Sequence, residues 1–262
     1  DLNGVPTALS ICEDIWHEEP VLKAKAAGAQ LLININASPF HYQKHDQRLQ
    51  LLSQRAQQGE MPIVYVNQVG GQDELVFDGG SFAVNANGER QVQAPWYEEG
   101  LFLVQCASSP QVEIQASPLA DELDDLGVIY QALVLGLRDY VNKNHFRRVV
   151  LGLSGGIDSA LTLAIAVDAL GADRVQAIMM PFLYTSQLSR DDAAAQAKSL
   201  GVEYDSIAIE PMYNAFMTSL ETQFEGLPVD LTEQNLQARC RGVLLMAVSN
   251  KTGALVLTTG KK

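Results

Sequence analysis

Apolar positions along this chain follow two rhythms, one of strand length and one of helical period. In the first half, Val5–Cys12, Leu31–Asn36 and Ile63–Asn67 are short runs rich in aliphatic and β-branched residues, the pattern of strands. Phe77–Val84 and Leu101–Cys106 read as later strands with turns between them. Helical spacing fills the gaps: Leu22–Ala29 closes at Gly28, and His41–Gln58 is amphipathic with Leu49, Leu51 and Leu52 inward. From Gly127 to Asn144 a further helix carries Ile129, Leu133, Leu135, Leu137 and Tyr140 on its apolar side. Beyond it the two rhythms alternate strictly. Val149–Leu153, Val175–Met180 and Leu255–Thr259 read as strands, and a further strand lies within Val202–Ile209. Between them, Ala160–Leu170, Ser189–Leu200 and Leu231–Asn250 read as helices. Ser189 and Thr232 are the expected N-caps, with Asp191 and Asp192 in the first turn of the helix that Ser189 opens. Strand–helix alternation at these lengths predicts a doubly wound parallel sheet. Ligands of such sheets bind beyond the carboxyl ends of the strands, the edge that Ser154, Tyr184 and Thr259 would occupy.

Composition narrows the picture. The 262 residues suit one large or two modest domains. The join is placed near residue 120: Ser108, Ser109 and Pro110 end the first patterned region, and Leu119-Ala-Asp-Glu-Leu-Asp-Asp125 is acid-rich. The domains expected are therefore 1–120 and 121–262. A net charge of −13 disfavours non-specific nucleic-acid binding. No apolar stretch is long enough for a membrane span and no signal peptide opens the chain. The cysteines Cys12, Cys106 and Cys240 form no disulfide framework, which points to a reducing, cytoplasmic setting.

Chemistry concentrates at Leu151-Gly-Leu-Ser-Gly-Gly-Ile-Asp-Ser-Ala160. A buried strand, a glycine turn and a helix aim unpaired backbone N–H groups and a positive helix end at one point, which makes an anion site. Ser154 and Ser159 add hydroxyls. Asp158 adds a carboxylate, which belongs beside phosphate if it holds Mg²⁺. No lysine follows the glycines, so this is not a Walker A loop, and G-x-G-x-x-G is absent as well. In the first half, Cys12 stands at a strand end before Glu13 and Asp14, where it suits either a nucleophile or a half-buried core thiol. Cys106 and Cys240 are expected to be packing residues. His41 and His45 have a metal-ligand spacing but no third ligand, so a solvated helix face is the expectation. His17 and His145 are expected to be structural or surface residues. Glu233, Gln237 and Arg241 share one helix stripe, which on spacing alone is a solvated charged face.

Ser154-Gly-Gly-Ile-Asp-Ser159 resembles the pyrophosphate loop of the ATP pyrophosphatases. Ile11-Cys-Glu-Asp-Ile-Trp16, Asn36-Ala-Ser-Pro-Phe40, Asn67-Gln-Val-Gly-Gly71 and Phe77-Asp-Gly-Gly-Ser81 resemble, in order, the nitrilase-type glutaminase domain of glutamine-dependent NAD⁺ synthetases. Thr232-Glu-Gln-Asn-Leu-Gln-Ala-Arg-Cys-Arg241 resembles the E-N-x-Q-A-R-x-R segment of the same enzymes. The resemblance implies the C-terminal part of a nitrilase-like α-β-β-α sandwich, followed by a Rossmann-like sheet of the ATP pyrophosphatase type. It implies Cys12 as nucleophile, with Ser38 and Lys44 holding glutamine. It implies ATP at Gly152, Leu153, Ser154, Gly155, Gly156, Ile157, Asp158, Ser159 and Thr259, with Mg²⁺ at Asp158 and deamido-NAD at Asn235. A cytoplasmic homo-oligomeric ligase is the expectation, yielding AMP and pyrophosphate. A different glutamine-fed pyrophosphatase of the GMP synthetase kind, and a non-catalytic piece, stay open as alternatives. The family's catalytic glutamate and lysine would fall before Asp1, and its Asn-Lys-Ser-Glu run gives way here to Lys261-Lys262. Residues 1–262 alone are therefore expected to form no NAD⁺.

Overall fold

Alternation in Leu31-Leu-Ile-Asn-Ile-Asn36 sends Leu32, Asn34 and Asn36 to one side and Leu31, Ile33 and Ile35 to the other, which makes it a strand with two distinct faces. The computed structural model describes residues 1–108 and 111–260. Ser109 and Pro110 of the expected join, and Lys261-Lys262, lie outside the described residues. The chain divides into two compact units, Asp1–Gly136 and Leu137–Lys262.

The first unit runs β1 (Thr7–Ile11), a 3₁₀ turn (Cys12–Trp16), α1 (Glu18–Ala26), β2 (Leu31–Asn36), α2 (Lys44–Gly59) and β3 (Ile63–Asn67). It continues with β4 (Val69–Gln72), β5 (Leu75–Asp78), β6 (Phe82–Val84), β7 (Arg90–Gln93), β8 (Cys106–Ala107), β9 (Glu113–Ile114) and the start of α3 (Asp125–Lys143). Its main sheet has the order β1-β2-β3-β6-β7. The first three strands are parallel, pairing Ile11 with Ile35 and Ile35 with Val66, and β6 and β7 run antiparallel. Helices α1 and α2 cover one face, where Val21, Leu52 and Ala56 pack on Leu32, Ile63, Tyr65 and Phe82. Each such side chain contributes about 1.5–3 kcal/mol when fully buried. On the other face Val112 and Ile114 cover Leu31, Ala83 and Val92. Leu9, Ile11, Ile35 and Val66, at the carboxyl ends of the parallel strands, stay 70%, 69%, 52% and 42% exposed.

Expectations for residues 101–106 fail in this unit. Leu101–Cys106 is not a strand: only Cys106–Ala107 pairs, with β9, and Leu101 and Leu103 lie exposed. Cys106 is accordingly an exposed thiol instead of a packing residue. The acid-rich stretch before α3 is tied into the first unit, since Glu122 pairs with Arg90 and Asp125 accepts the Tyr42 hydroxyl. The opening turns of α3 bury Ala132 and Leu135 around Tyr97, and the change of unit falls later in that helix.

In the second unit β10 (Val149–Gly152), α4 (Ile157–Leu170), β11 (Val175–Met179), α5 (Gln187–Leu200), β12 (Glu203–Ser206), α6 (Glu210–Phe224), α7 (Leu231–Thr252) and β13 (Leu255–Leu257) form the alternating pattern. All strands are parallel in the order β12-β11-β10-β13. Every residue of β11 is buried, as are Val149, Val150 and Leu151, because helices cover both faces. The chain leaves β10 toward β11 and returns on its other side at β13. The switch point of this doubly wound sheet therefore lies at the carboxyl end of β10. Helix α6 was not foreseen, and none of its residues is fully buried. The caps also differ. Ser186, not Ser189, caps α5 by accepting the Ser189 N–H, which leaves no acid in the first turn. Asp230, not Thr232, caps α7 and accepts the Thr232 N–H. Among the described residues no helix is long and apolar enough to cross a membrane.

Candidate functional sites

In the first unit the sequence-predicted residues gather past the carboxyl ends of β1, β2 and β3. Cys12 follows β1 directly and is half-buried. Its φ of +47° is rare for a residue with a Cβ and breaks the strand there, so the thiol begins a tight turn instead of continuing the ladder. Asp14 holds this turn by accepting the Ile11 N–H at 2.9 Å. Arg55 holds it from α2, donating to the Ile15 and Trp16 carbonyls at 3.0 and 2.6 Å. Lys44 Nζ stands 4.2 Å from the centroid of the Trp16 ring, a cation–π contact that brings this residue beside the Cys12 turn.

Ser38 follows β2 and sits in a buried polar network. Its N–H donates to Asn67 Oδ1 at 2.9 Å, and its carbonyl and Oγ both accept from Arg48 at 3.0 Å. Arg48 and Asp78 are paired at 2.8 Å and both are almost fully buried. Asn67 also donates to Asp78 at 3.0 Å, closing the network. Burial pushes the Asp78 carboxyl above its ordinary pKa, against the pull of Arg48. A buried ion pair recovers its desolvation cost only when its remaining donors and acceptors are satisfied. Here the Ser38 and Pro39 carbonyls do part of that work. Gly80, in the Asp78-Gly-Gly-Ser81 turn, has φ +57°, and a Cβ there would fall 1.9 Å from the Trp96 ring.

His45 departs from its expected solvated setting. It packs edge-on to Trp96 with ring centroids 4.2 Å apart. Its ring nitrogens are buried without hydrogen-bond partners, and burial pulls its pKa down to about 4. His41 precedes α2 and is not helical. Among the described residues no group of three or more His, Cys, Asp or Glu could hold a metal ion.

In the second unit the glycine turn links β10 to α4 at the switch point. Gly155 has φ +80°, and a Cβ there would lie 2.2 Å from the Ser189 carbonyl of α5, so only glycine fits. The serines, expected as hydroxyl donors, also bond within the loop. Ser154 Oγ accepts the Gly156 N–H at 3.2 Å and lies 3.0 Å from Ser159 Oγ, and Ser159 Oγ donates to the Gly156 carbonyl at 2.9 Å. They hold the turn's shape. No side chain caps α4, so the N–H groups of its first turn, including those of Ile157 and Asp158, have no capping partner and suit an anion. Asp158 is exposed in that turn and makes no ion pair among the described residues. Its carboxylate fits Mg²⁺ in the usual way, with few protein ligands and substrate phosphates supplying the rest. Thr259 follows β13, the neighbour of β10, and shares the carboxyl edge of the sheet. Asn235 is exposed on α7. Of its helix stripe, Glu233 is spent on the cap, accepting the Asp230 N–H, and Cys240 is buried as expected.

Arg48, Arg55, Asn67 and Asp78 had no assigned role in the sequence reading. One signal was available: positions 48 and 55 fall on the same stripe of α2 as the buried Leu52 and Ala56. An arginine in an apolar stripe calls for a buried partner.

A half-buried cysteine at a strand-end turn in one unit and a glycine turn at the switch point of a parallel sheet in the other define a chain of two enzyme-type modules. Residues 1–112 match the carbon-nitrogen hydrolase family model and residues 129–262 match the NAD synthase model. The chain belongs to the NAD synthase family. It is 49% identical over 252 residues to the glutamine-dependent NAD(+) synthetase of Acinetobacter baylyi, covering 96% of this chain and 46% of that protein. It is 46% identical to the enzyme of the same name from Xylella fastidiosa, over 100% of this chain and 48% of that one. The structure of glutamine-dependent NAD⁺ synthetase from Acinetobacter baumannii in complex with ADP superposes with a TM-score of 0.95 at 48% identity, covering all of this chain and 50% of that chain. The chain thus spans about half the length of the curated relatives it matches.

Proposed function

We propose that this chain carries the glutaminase and nucleotide-activating chemistry of glutamine-dependent NAD⁺ synthesis. The observation that carries the reading is the succession of a strand-end Cys12 turn and a Ser-Gly-Gly-Ile-Asp-Ser turn at a parallel-sheet switch point, in a chain matched by both family models. The functional partition is 1–120 and 121–262. In the first part, Cys12 Sγ attacks the amide carbon of glutamine held by Ser38 and Lys44. The C–N bond breaks, ammonia leaves, and water then releases glutamate from the thioester. In the second part, the turn from Gly152 to Ser159, with Thr259, holds ATP, and Asn235 contacts deamido-NAD.

The nicotinate carboxylate oxygen attacks the α-phosphorus, the bond to the β-phosphate oxygen breaks, and pyrophosphate departs with its charge. Preorganised N–H groups of the α4 first turn stabilise that charge. Mg²⁺, held at Asp158, supplies charge neutralisation to the phosphates when bound. Ammonia then attacks the activated carbonyl and AMP leaves, forming the amide. The setting is a cytoplasmic homo-oligomer. The ADP named for the Acinetobacter baumannii structure supports nucleotide use by this chain.

The test is nitrogen source, measured in this chain extended to the length of its relatives. Cys12→Ala should abolish glutamine-supported synthesis from deamido-NAD while leaving ammonia-supported synthesis largely intact. Equal loss with both donors would overturn Cys12 as nucleophile. Turnover of xanthylate in place of deamido-NAD would overturn the choice of substrate.

A further inference from the structure

A small cavity of about 250 Å³ opens beside the glycine turn, lined by Gly152, Ser154, Met179, Met180 and Thr185, and by Arg241 of α7. Arg241 is half-buried. Its Nε–H donates to the Met180 carbonyl at 3.2 Å, just past the end of β11, and this fixes the plane of the guanidinium. Its terminal N–H groups make no hydrogen bond among the described residues. No carboxylate lies within ion-pairing distance of it there.

The other half-buried arginines of this unit differ. Arg148 pairs with Glu203. Arg174 spends its guanidinium on the Arg147 and Phe146 carbonyls and on Asn142. Burial pulls the Arg241 pKa below its ordinary value, the mark of a cation taken partly out of water. A half-buried cation without a counter-ion carries a desolvation cost that an arriving anion would offset. In a chain of net charge −13 such a position stands out.

We propose that Arg241 is a phosphate-recognition residue: Met180 holds the guanidinium by Nε, and the terminal N–H groups donate to a phosphoryl oxygen of the nucleotide seated on the glycine turn. A planar fork of donors suits two phosphoryl oxygens, which a lysine cannot match. The assignment rests on the ATP site proposed above and names a side chain that works beside the backbone donors of α4.

The test is titration of ATP and of adenosine into the 262-residue chain and its variants, with circular dichroism as the control for folding. Arg241→Gln should weaken ATP binding roughly tenfold or more, the size of a lost charge-assisted contact, and change adenosine binding less than about twofold. Arg241→Lys keeps the charge but cannot hold both Met180 and a phosphoryl group, so it should lose several-fold on ATP alone. It also serves if the glutamine variant does not fold. Unchanged ATP affinity in a folded Arg241→Gln or Arg241→Lys would overturn the assignment while leaving the ATP site standing. Equal losses for ATP and adenosine would mean a purely structural arginine and would overturn it as well. Absence of ATP binding by the parent chain would overturn the ATP site itself, and the Arg241 assignment with it.

Discussion

Replacing Arg48 by methionine removes one ion of a pair in which both side chains are almost fully buried, along with the donors to the Ser38 and Pro39 carbonyls. Methionine fills a similar volume, so the cost is electrostatic. An uncompensated buried carboxylate costs about 3–5 kcal/mol. The assay is urea unfolding followed by tryptophan fluorescence, because the two tryptophans, Trp16 and Trp96, both lie in the first unit and report on it alone. The pH dependence gives a second reading. Asp78 already has a pKa raised above 3.8 by burial. A carboxyl whose folded pKa is raised contributes stability below its unfolded pKa and loses it as pH rises through the folded value. Without Arg48 the pKa rises further. The deficit of Arg48→Met relative to the parent should therefore be largest at neutral pH and shrink as the pH falls through the raised folded value toward the unfolded one near 4, with no further change in stronger acid. Adding Asp78→Leu should recover part of the loss. The remainder, about 1–3 kcal/mol, comes from the Pro39 carbonyl and the Ser38 hydroxyl, which lose Arg48 as their donor. A loss under about 1 kcal/mol at pH 7, or a deficit that grows in acid, would refute a buried pair supporting Ser38.

Three further outcomes are expected. Gly155→Ala places a methyl 2.2 Å from the Ser189 carbonyl at φ +80°; it should cost on the order of 3 kcal/mol in circular dichroism melting of the second unit, and a parent-like melt would contradict the close approach. His45 has a folded pKa of about 4 against 6.5 unfolded, so the unfolded chain gains its proton first and stability falls as pH drops from about 6.5 to 4. The loss is at most about 3 kcal/mol, and His45→Phe should flatten that part of the urea-midpoint profile; an unaltered slope would mean that the ring is not held neutral. Asp158→Ala, in the chain extended to its relatives' length, should greatly reduce pyrophosphate release, and undiminished release would exclude a role for this carboxylate.

Strands were legible where an apolar run sets them, as in Leu31–Asn36 and Val175–Met179, the latter buried throughout; β7, Arg90-Gln-Val-Gln93, has a single apolar residue and was not foreseen. The glycine turn was legible for the same reason, since its strand, glycines and helix are consecutive. What could not be read is chosen by distant partners. Arg48 meets Asp78 across 30 positions, and nothing local to either announces the pairing. Ser186 displaces Ser189 as a cap because both are competent and only the turn after β11 decides between them. The failed strand at Leu101–Cys106 teaches the converse: an apolar run becomes a strand only where an edge is offered to it, and the described residues 101–104 belong to no strand.

The exposed ends of β1, β2 and β3 also govern how this chain behaves as a colloid. Ile11, Ile35 and Val66 are cross-strand neighbours and Leu9 precedes Ile11 by two residues on the same face of β1, so their exposed methyl groups form one water-facing row instead of four scattered ones. Contiguous apolar area of this kind drives adhesion in proportion to its extent, and more strongly on warming from the cold. A dilute, cold, salt-poor solution of the 262-residue chain should therefore stay dispersed, whereas sulfate or warming toward room temperature should draw it into assemblies through this face while both units remain folded.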